Sequence, residues 1–175
     1  KGSIDFDINM DKLNLNLFNP YVKNVANDLK GLATGDLKLS GTLKEPVITG
    51  GIMMQEAAVT VNYLNTRYRF TDKVRIESNQ IMFDDILLYD QYRNSSILNG
   101  TISNTYFKDF RLNLSLDARS FQFLNTRHTD NSRFYGTAFS SGLVMIKGSP
   151  ENLTMDVNAR TEKDTRLFFP LSNPE

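Results

Sequence analysis

The chain has no cysteine, no tryptophan and a single histidine in 175 residues. Without cysteine there are no disulfides and no thiolate metal sites, and the redox compartment stays open. Without tryptophan, a flat aromatic platform for sugars would have to rest on Tyr63, Tyr68, Tyr89, Tyr92, Tyr106 and Tyr135. Neither sign of charge prevails, since 20 Lys and Arg stand against 20 Asp and Glu. These charges are interspersed, so no basic stripe exists to neutralise phosphates, and no nucleic-acid partner is expected. No apolar run is long enough to span a membrane as a helix. There is no Gly-rich phosphate loop ahead of a helix and no zinc spacing, so no cofactor or metal is expected. The sequence starts at Lys1 without an initiator Met or an apolar signal-like region, and it reads as one β domain, 1–175, from the interior of a longer protein. A chain this long buries roughly 70% of its unfolded surface.

What the chain does have is alternation. Phe110, Leu112, Leu114, Leu116 and Ala118 alternate with Arg111, Asn113, Ser115, Asp117 and Arg119. This is the period of a strand with one apolar and one wet face. The same pattern predicts strands at Ile4 to Met10, Leu37 to Leu43, Ala57 to Tyr63, Tyr68 to Phe70, Val74 to Ile76, Ile81 to Phe83 and Ile86 to Leu88. It continues at Ile97 to Ile102, Phe110 to Ala118, Phe121 to Phe123, Leu143 to Ile146, Leu153 to Ala159 and Leu167 to Leu171, before Asn173 and Pro174. After Asp11-Lys12 the phase shifts to Leu13, Leu15 and Leu17, which marks a bulge or tight turn. Asn19-Pro20 has the form of a helix start, and Val22, Val25, Ala26 and Leu29 follow at helical spacing with Gly31 as the stop. One short helix near residues 20–30 is therefore expected in an all-β fold.

Catalytic readings find little support. His128 lies in the polar run Arg127-His128-Thr129-Asp130, so a triad or a histidine metal site would rest on one loop residue. Asp84, Asp85 and Asp90 offer carboxylates for acid–base work or calcium, but adjacent strand residues point to opposite faces and converge only in a turn, the commoner reading. No enzyme activity is expected. Met10, Met53, Met54, Met82, Met145 and Met155 fall in or beside apolar runs, where thioethers most often fill core gaps.

Two segments recur. Gly35-Asp-Leu-Lys-Leu-Ser-Gly41, with Pro46 soon after, matches Gly142-Leu-Val-Met-Ile-Lys-Gly148, with Pro150 after it; Gly100-Thr101-Ile102 is a weaker echo. Tyr63-Leu64-Asn65-Thr66-Arg67 returns as Phe123-Leu124-Asn125-Thr126-Arg127. The chain has the look of a loosely repeated β ribbon.

These segments, in their order and spacing, carry a resemblance. Leu29-Lys30-Gly31, the run from Ala33 to Gly51, Phe83-Asp84-Asp85, Leu98-Asn99-Gly100-Thr101-Ile102 and Phe134-Tyr135-Gly136-Thr137-Ala138 are similar to the C-terminal region of the TamB family, of the AsmA-like superfamily, in the version found in Bacteroidetes. The resemblance covers roughly residues 20 to 170 and implies the periplasmic part of a protein anchored in the inner membrane. It implies an elongated, curved sheet forming a U-shaped trough, or β-taco, with an apolar interior. Its implied partners are phospholipid acyl chains or unfolded outer-membrane protein strands, and a BamA/TamA-type barrel reached through the parent protein. The corresponding groove would be lined by Leu37 and Leu39, Val59 and Val61, Ile81 and Phe83, then by Leu112, Leu114 and Leu116, with Phe121 and Phe123 on the adjoining strand, and by Met155 and Val157. Alternation looks the same in a closed fold, and without the resemblance the residues favour a closed β-sandwich or β-helix over a trough, the sandwich as a carbohydrate-binding or adhesin-like module. Exposed tyrosine clusters would favour that module, and an unroofed row of Leu, Ile and Phe the trough. Unpaired terminal strands, around Ile4 to Met10 and Leu167 to Leu171, would lead to edge-to-edge self-association.

Overall fold

The computed structural model describes residues 2–106, 108–130, 132–150 and 152–170. Its strands are β1 (Ser3–Asn14), β2 (Ala26–Thr42), β3 (Pro46–Val61), β4 (Thr66–Glu77), β5 (Gln80–Tyr89), β6 (Ser95–Thr105), β7 (Lys108–Thr126), β8 (Tyr135–Ser149), β9 (Asn152–Thr161) and β10 (Arg166–Phe168). All belong to one antiparallel sheet in which each strand from β1 to β9 pairs with the next in sequence. β9 and β10 share the same side of β8, one pairing with Ser140 to Ser149 and the other with Tyr135 to Thr137. Leu167 pairs in β10, whereas Leu171, Asn173 and Pro174 lie outside the described residues.

Several strands expected separately are single strands interrupted by bulges. Tyr68–Phe70 joins Val74–Ile76 in β4, Ile81–Phe83 joins Ile86–Leu88 in β5, and Phe110–Ala118 joins Phe121–Phe123 in β7. Phe121 and Phe123 thus extend the strand of Leu112 rather than occupy a neighbour. The phase slip at Asp11-Lys12 is a bulge in β1. The short helix α1 covers only Asn19–Val22, after a 3-10 turn at Leu15–Phe18. Ala26 belongs to β2 through its pairing with Val61 of β3, and the Leu29 backbone, at a register shift in β2, is satisfied by the Asn19 side-chain amide instead of by a helical turn. Gly31 accordingly sits inside β2, where its φ is +110°, and does not end a helix.

The bulges share a construction. In β1, β3, β5 and β7 a polar doublet separates two inward apolar residues: Asp11-Lys12, Gln55-Glu56, Asp84-Asp85 and Arg119-Ser120. The second residue of each doublet is left-handed, with φ between +48° and +52°. Its N–H loses its ladder partner there and donates instead to a side chain of the next strand. Lys12 donates to Thr34 Oγ1 at 3.1 Å, Glu56 to Thr71 Oγ1 at 2.9 Å, Asp85 to Asn99 Oδ1 at 2.8 Å, and Ser120 to Ser141 Oγ at 2.8 Å. Three of the four acceptors stand just before a repeated glycine, Gly35, Gly100 or Gly142. The recurring glycines therefore track the bulges. At Gly100 φ is +124°, and a Cβ would stand 2.1 Å from the Asn113 carbonyl oxygen of β7, so only glycine lets β7 come this close.

Bulged strands bend, and the bends accumulate into a curved sheet. Three strand spacings separate β4 from β7, about 14 Å in a flat sheet. Yet the Tyr68 hydroxyl donates to the Gln122 carbonyl at 3.0 Å, and the Tyr68 ring stacks on Phe121 with centroids 4.9 Å apart. The second repeat is involved too, for the Asn125 N–H donates to the Leu64 carbonyl at 2.9 Å and Asn65 Nδ2 to the Asn125 carbonyl at 2.8 Å. The two copies of Leu-Asn-Thr thus join the β3–β4 turn to the end of β7. Beneath them the shorter β5–β6 hairpin is tied in by the buried Asp90, which accepts from the N–H groups of Tyr92, Asn94 and Gln122 and from Asn94 Nδ2. At the opposite end Asn79, in the β4–β5 turn, donates to Pro46 O, accepts from Ile48 N–H, and receives Asn104. Burial pushes the Tyr68 hydroxyl well above its usual pKa, so it remains a donor across the working pH range.

Two stability measurements check this account. Gly100→Ala should cost about 3 kcal/mol in urea unfolding through strain and clash, while Gly2→Ala, which meets nothing within 4 Å, should be neutral. Tyr68→Phe keeps the stacking and removes the hydrogen bond, with an expected loss of about 1 kcal/mol. A larger loss in Gly2→Ala than in Gly100→Ala, or an unchanged Tyr68→Phe, would contradict the curvature mechanism.

Candidate functional site

Register turns the alternation into rows that cross the sheet. One row runs through all nine meander strands as Ile8, Leu37, Gly50, Ile76, Ile81, Ile102, Leu112, Gly148 and Leu153. Measured along the sheet it is about 38 Å long. A second row is Phe83, Gly100, Leu114, Ile146 and Met155, and a third is Ile86, Leu98, Leu116, Val144 and Val157. Contacts between Tyr68 of β4 and Phe121 of β7, in one cluster with Ile86 and Leu116, place these rows on the concave face.

Exposure varies across that face in a consistent way. The third row is 0%, 8%, 6% and 2% exposed from Ile86 to Val144, then 61% at Val157 on the edge strand. This row is the floor, packed by its neighbours until the sheet runs out. In the first row Leu37, Ile76, Ile81, Ile102 and Leu112 are only half-buried. Among the described residues no second sheet stands opposite them, since their ten strands lie in one sheet. The concave face is therefore an apolar wall with a packed floor and partly open flanks.

The thirteen residues expected to line a groove distribute over these zones. Leu37, Ile81 and Leu112 share the first row, and Leu39 stands beside Ile48 and Phe6 in the adjacent one. Phe83, Leu114, Val61 and Phe123 pack against the cluster that contains Leu116 and Phe121, and Val59 pairs with Tyr68. Phe121, at 0% exposure, is floor and offers no surface to a ligand. Met155 and Val157 stand exposed on β9. Sequence reasoning passed over Ile76, Ile102 and Ile146, whose alternating runs were visible but whose row membership depends on register.

The polar candidates have structural explanations. Asp84 and Asp85 sit exposed in the β5 bulge rather than in a turn; Asp84 lies 3.7 Å from Arg75, and Asp85 is paired with Asn99. Asp90 is wholly engaged in its turn. His128 stands edge-on to Tyr135 with centroids 5.4 Å apart. Of the exposed tyrosines, Tyr21, Tyr63, Tyr92 and Tyr106 come from four different connections and Tyr89 from the end of β5, and Tyr63 and Tyr92 are already packed on Phe134 and Phe139.

The family model of the TamB C-terminal domain matches residues 84–175, more than half of the chain. No curated protein and no solved structure matches it. TamB proteins are non-enzymatic translocation and assembly proteins that are anchored in the inner membrane, span the periplasm and partner with the outer-membrane protein TamA. Among the described residues no helix is long and apolar enough to cross a membrane. The match begins at the β5 bulge and runs on through β6 to β9, and by this match over more than half of its length the chain belongs to the TamB family.

Proposed function

We propose that the concave face carries phospholipid acyl chains between the inner and outer membranes, as the periplasmic part of a TamB-like protein anchored in the inner membrane. The observation that supports this reading most is the nine-strand row from Ile8 to Leu153, apolar or glycine at every step and half-buried through its middle. Each methylene sheltered there contributes about 0.8 kcal/mol, and a chain lying along a continuous row gathers many such contributions. The headgroup stays at the open flank, so polar and charged lipids share one mechanism.

A second role rests on the edges. Among the described residues β1 pairs only with β2, and β9 only with β8, while Phe6, Leu153, Met155 and Val157 expose 58%, 45%, 42% and 61% of their surface. Such edges accept a further strand, which supports handling of unfolded outer-membrane protein strands and engagement of a TamA-type barrel through the parent protein. In isolation the same edges promote self-association. Val157→Lys turns a charge into the face at the β9 edge, and it should shift the chain toward monomer in sedimentation at high concentration.

The lipid reading is tested by a charge in the row. Ile102→Arg places its guanidinium at the open flank, where the side chain can snorkel outward, and should leave the fold intact while removing most co-purifying lipid seen by mass spectrometry of an organic extract. Leu114→Arg meets the core cluster and should destabilise by about 3 kcal/mol or more. Asn113→Arg, exposed on the other face, should alter neither property. Ile102→Arg that is folded and fully lipid-loaded would remove the row as the carrying site.

A further inference from the structure

The connection between β1 and β2 presents a surface that the trough does not use. From Leu15 to Val22 the chain is helical, first as a 3-10 turn and then as α1. Burial divides its side chains into an inner side, Leu15, Asn19 and Val22, and an outer side, Leu17, Phe18, Tyr21 and, just past α1, Val25. The first side is fastened to the sheet. Leu15 is 4% exposed, and the Asn19 amide brackets the Leu29 backbone, accepting from its N–H at 2.9 Å and donating to its carbonyl at 3.1 Å. Asn62 braces the loop from the β3–β4 turn, donating from Nδ2 to the Lys23 carbonyl and from its N–H to the Val25 carbonyl. The second side is left bare, with exposures of 59% for Leu17, 41% for Phe18, 85% for Tyr21 and 47% for Val25.

The charge around it is one-sided. From Lys12 to Asn27 there is no carboxylate, while Lys12 and Lys23 are both exposed, in a chain whose acidic and basic residues balance overall and are interspersed elsewhere. The next acid, Asp28, is held by Lys30 at 2.8 Å and by Arg67. Those two cations keep its carboxyl below the usual range, so it stays ionised and paired.

We infer that this connection is a bilayer contact, entering the interfacial region of an anionic membrane with Leu17, Phe18, Tyr21 and Val25 while Lys23 meets the phosphates. Aromatic and aliphatic side chains on a braced, carboxylate-free projection match the interface, whose outer layer is anionic and whose next layer is apolar. The chain as a whole has no basic stripe, so insertion of apolar groups supplies most of the attraction. The contact is independent of lipid carriage by the concave face.

The absence of tryptophan makes a direct test available. Tyr21→Trp puts a single reporter in the projection, and Leu43→Trp puts one at an equally exposed position in the β2–β3 turn, 86% exposed at the opposite end of the strands. Vesicles of phosphatidylethanolamine and phosphatidylglycerol should blue-shift the emission of the first and leave the second unmoved. In flotation with the same vesicles, Leu17→Ser combined with Tyr21→Ser should lower the bound fraction about tenfold. Ile102→Arg should float like the parent chain, and the double variant should retain its co-purified lipid. Equal shifts at the two tryptophans, no shift at either, or unchanged flotation of the double variant would each overturn the inference. Loss of flotation in Ile102→Arg alone would assign vesicle binding to the concave face and overturn it as well.

Discussion

The curvature of this sheet depends on one recurring hydrogen bond, from a left-handed bulge residue to a hydroxyl or amide on the neighbouring strand. An extra residue in a strand frees a backbone N–H, and a freed N–H without an acceptor opposes the bulge. Thr34, Thr71, Asn99 and Ser141 each supply that acceptor in a different strand pair. Because the doublets point outward, the apolar residues on either side of each bulge, such as Phe83 and Ile86, remain on the same face. Each strand bends while its inner surface stays continuous.

A single curved sheet handles its apolar face differently from a sandwich. A sandwich buries each inner residue against a second sheet about 10 Å away. Here the shielding comes from strands three places apart meeting over the short β5–β6 hairpin, as Tyr68 and Phe121 do. That closure protects the floor row and leaves Ile81, Ile102 and Leu112 with access to solvent. The same geometry therefore accounts both for a stable core and for a partly open apolar surface.

Much of this was legible in the residues. Alternation located the strands, and the slip at Asp11-Lys12 announced a bulge because two polar residues in succession break a period of two. The doublets Asp84-Asp85 and Arg119-Ser120 carry the same mark, yet they read as strand ends, since a turn and a bulge interrupt alternation alike. The helix was overextended because Val25, Ala26 and Leu29 fit a period of 3.6 over a span too short to exclude strand, and pairing of Ala26 with Val61 decided the matter. Curvature was beyond reach of periodicity, for it is set by contacts such as Tyr68 with Gln122 that lie 54 residues apart. The exposed flank of α1 was equally hidden, because the outward side of a helical turn is defined only once Asn19 is seen to fasten the other.

A face kept partly open cannot supply all the packing that ordinarily specifies a β fold. In this protein much of that specification lies in polar nodes at the strand ends. Asn79 joins β3 to the end of β6, Asp90 holds the β5–β6 turn against β7, Asn65 and Asn125 tie the two repeat copies together, and Asn19 secures the first connection. Hydrogen bonds of this kind, among them those of the buried Asn79 and Asp90 side chains, fix register, because a one-residue slip would break them. Apolar rows can then differ in detail, with Gly50, Gly100 and Gly148 leaving gaps between Leu, Ile and Phe, without loss of the fold. Such an uneven wall suits flexible hydrocarbon, which conforms to knobs and gaps, better than a rigid ligand that needs a matched surface.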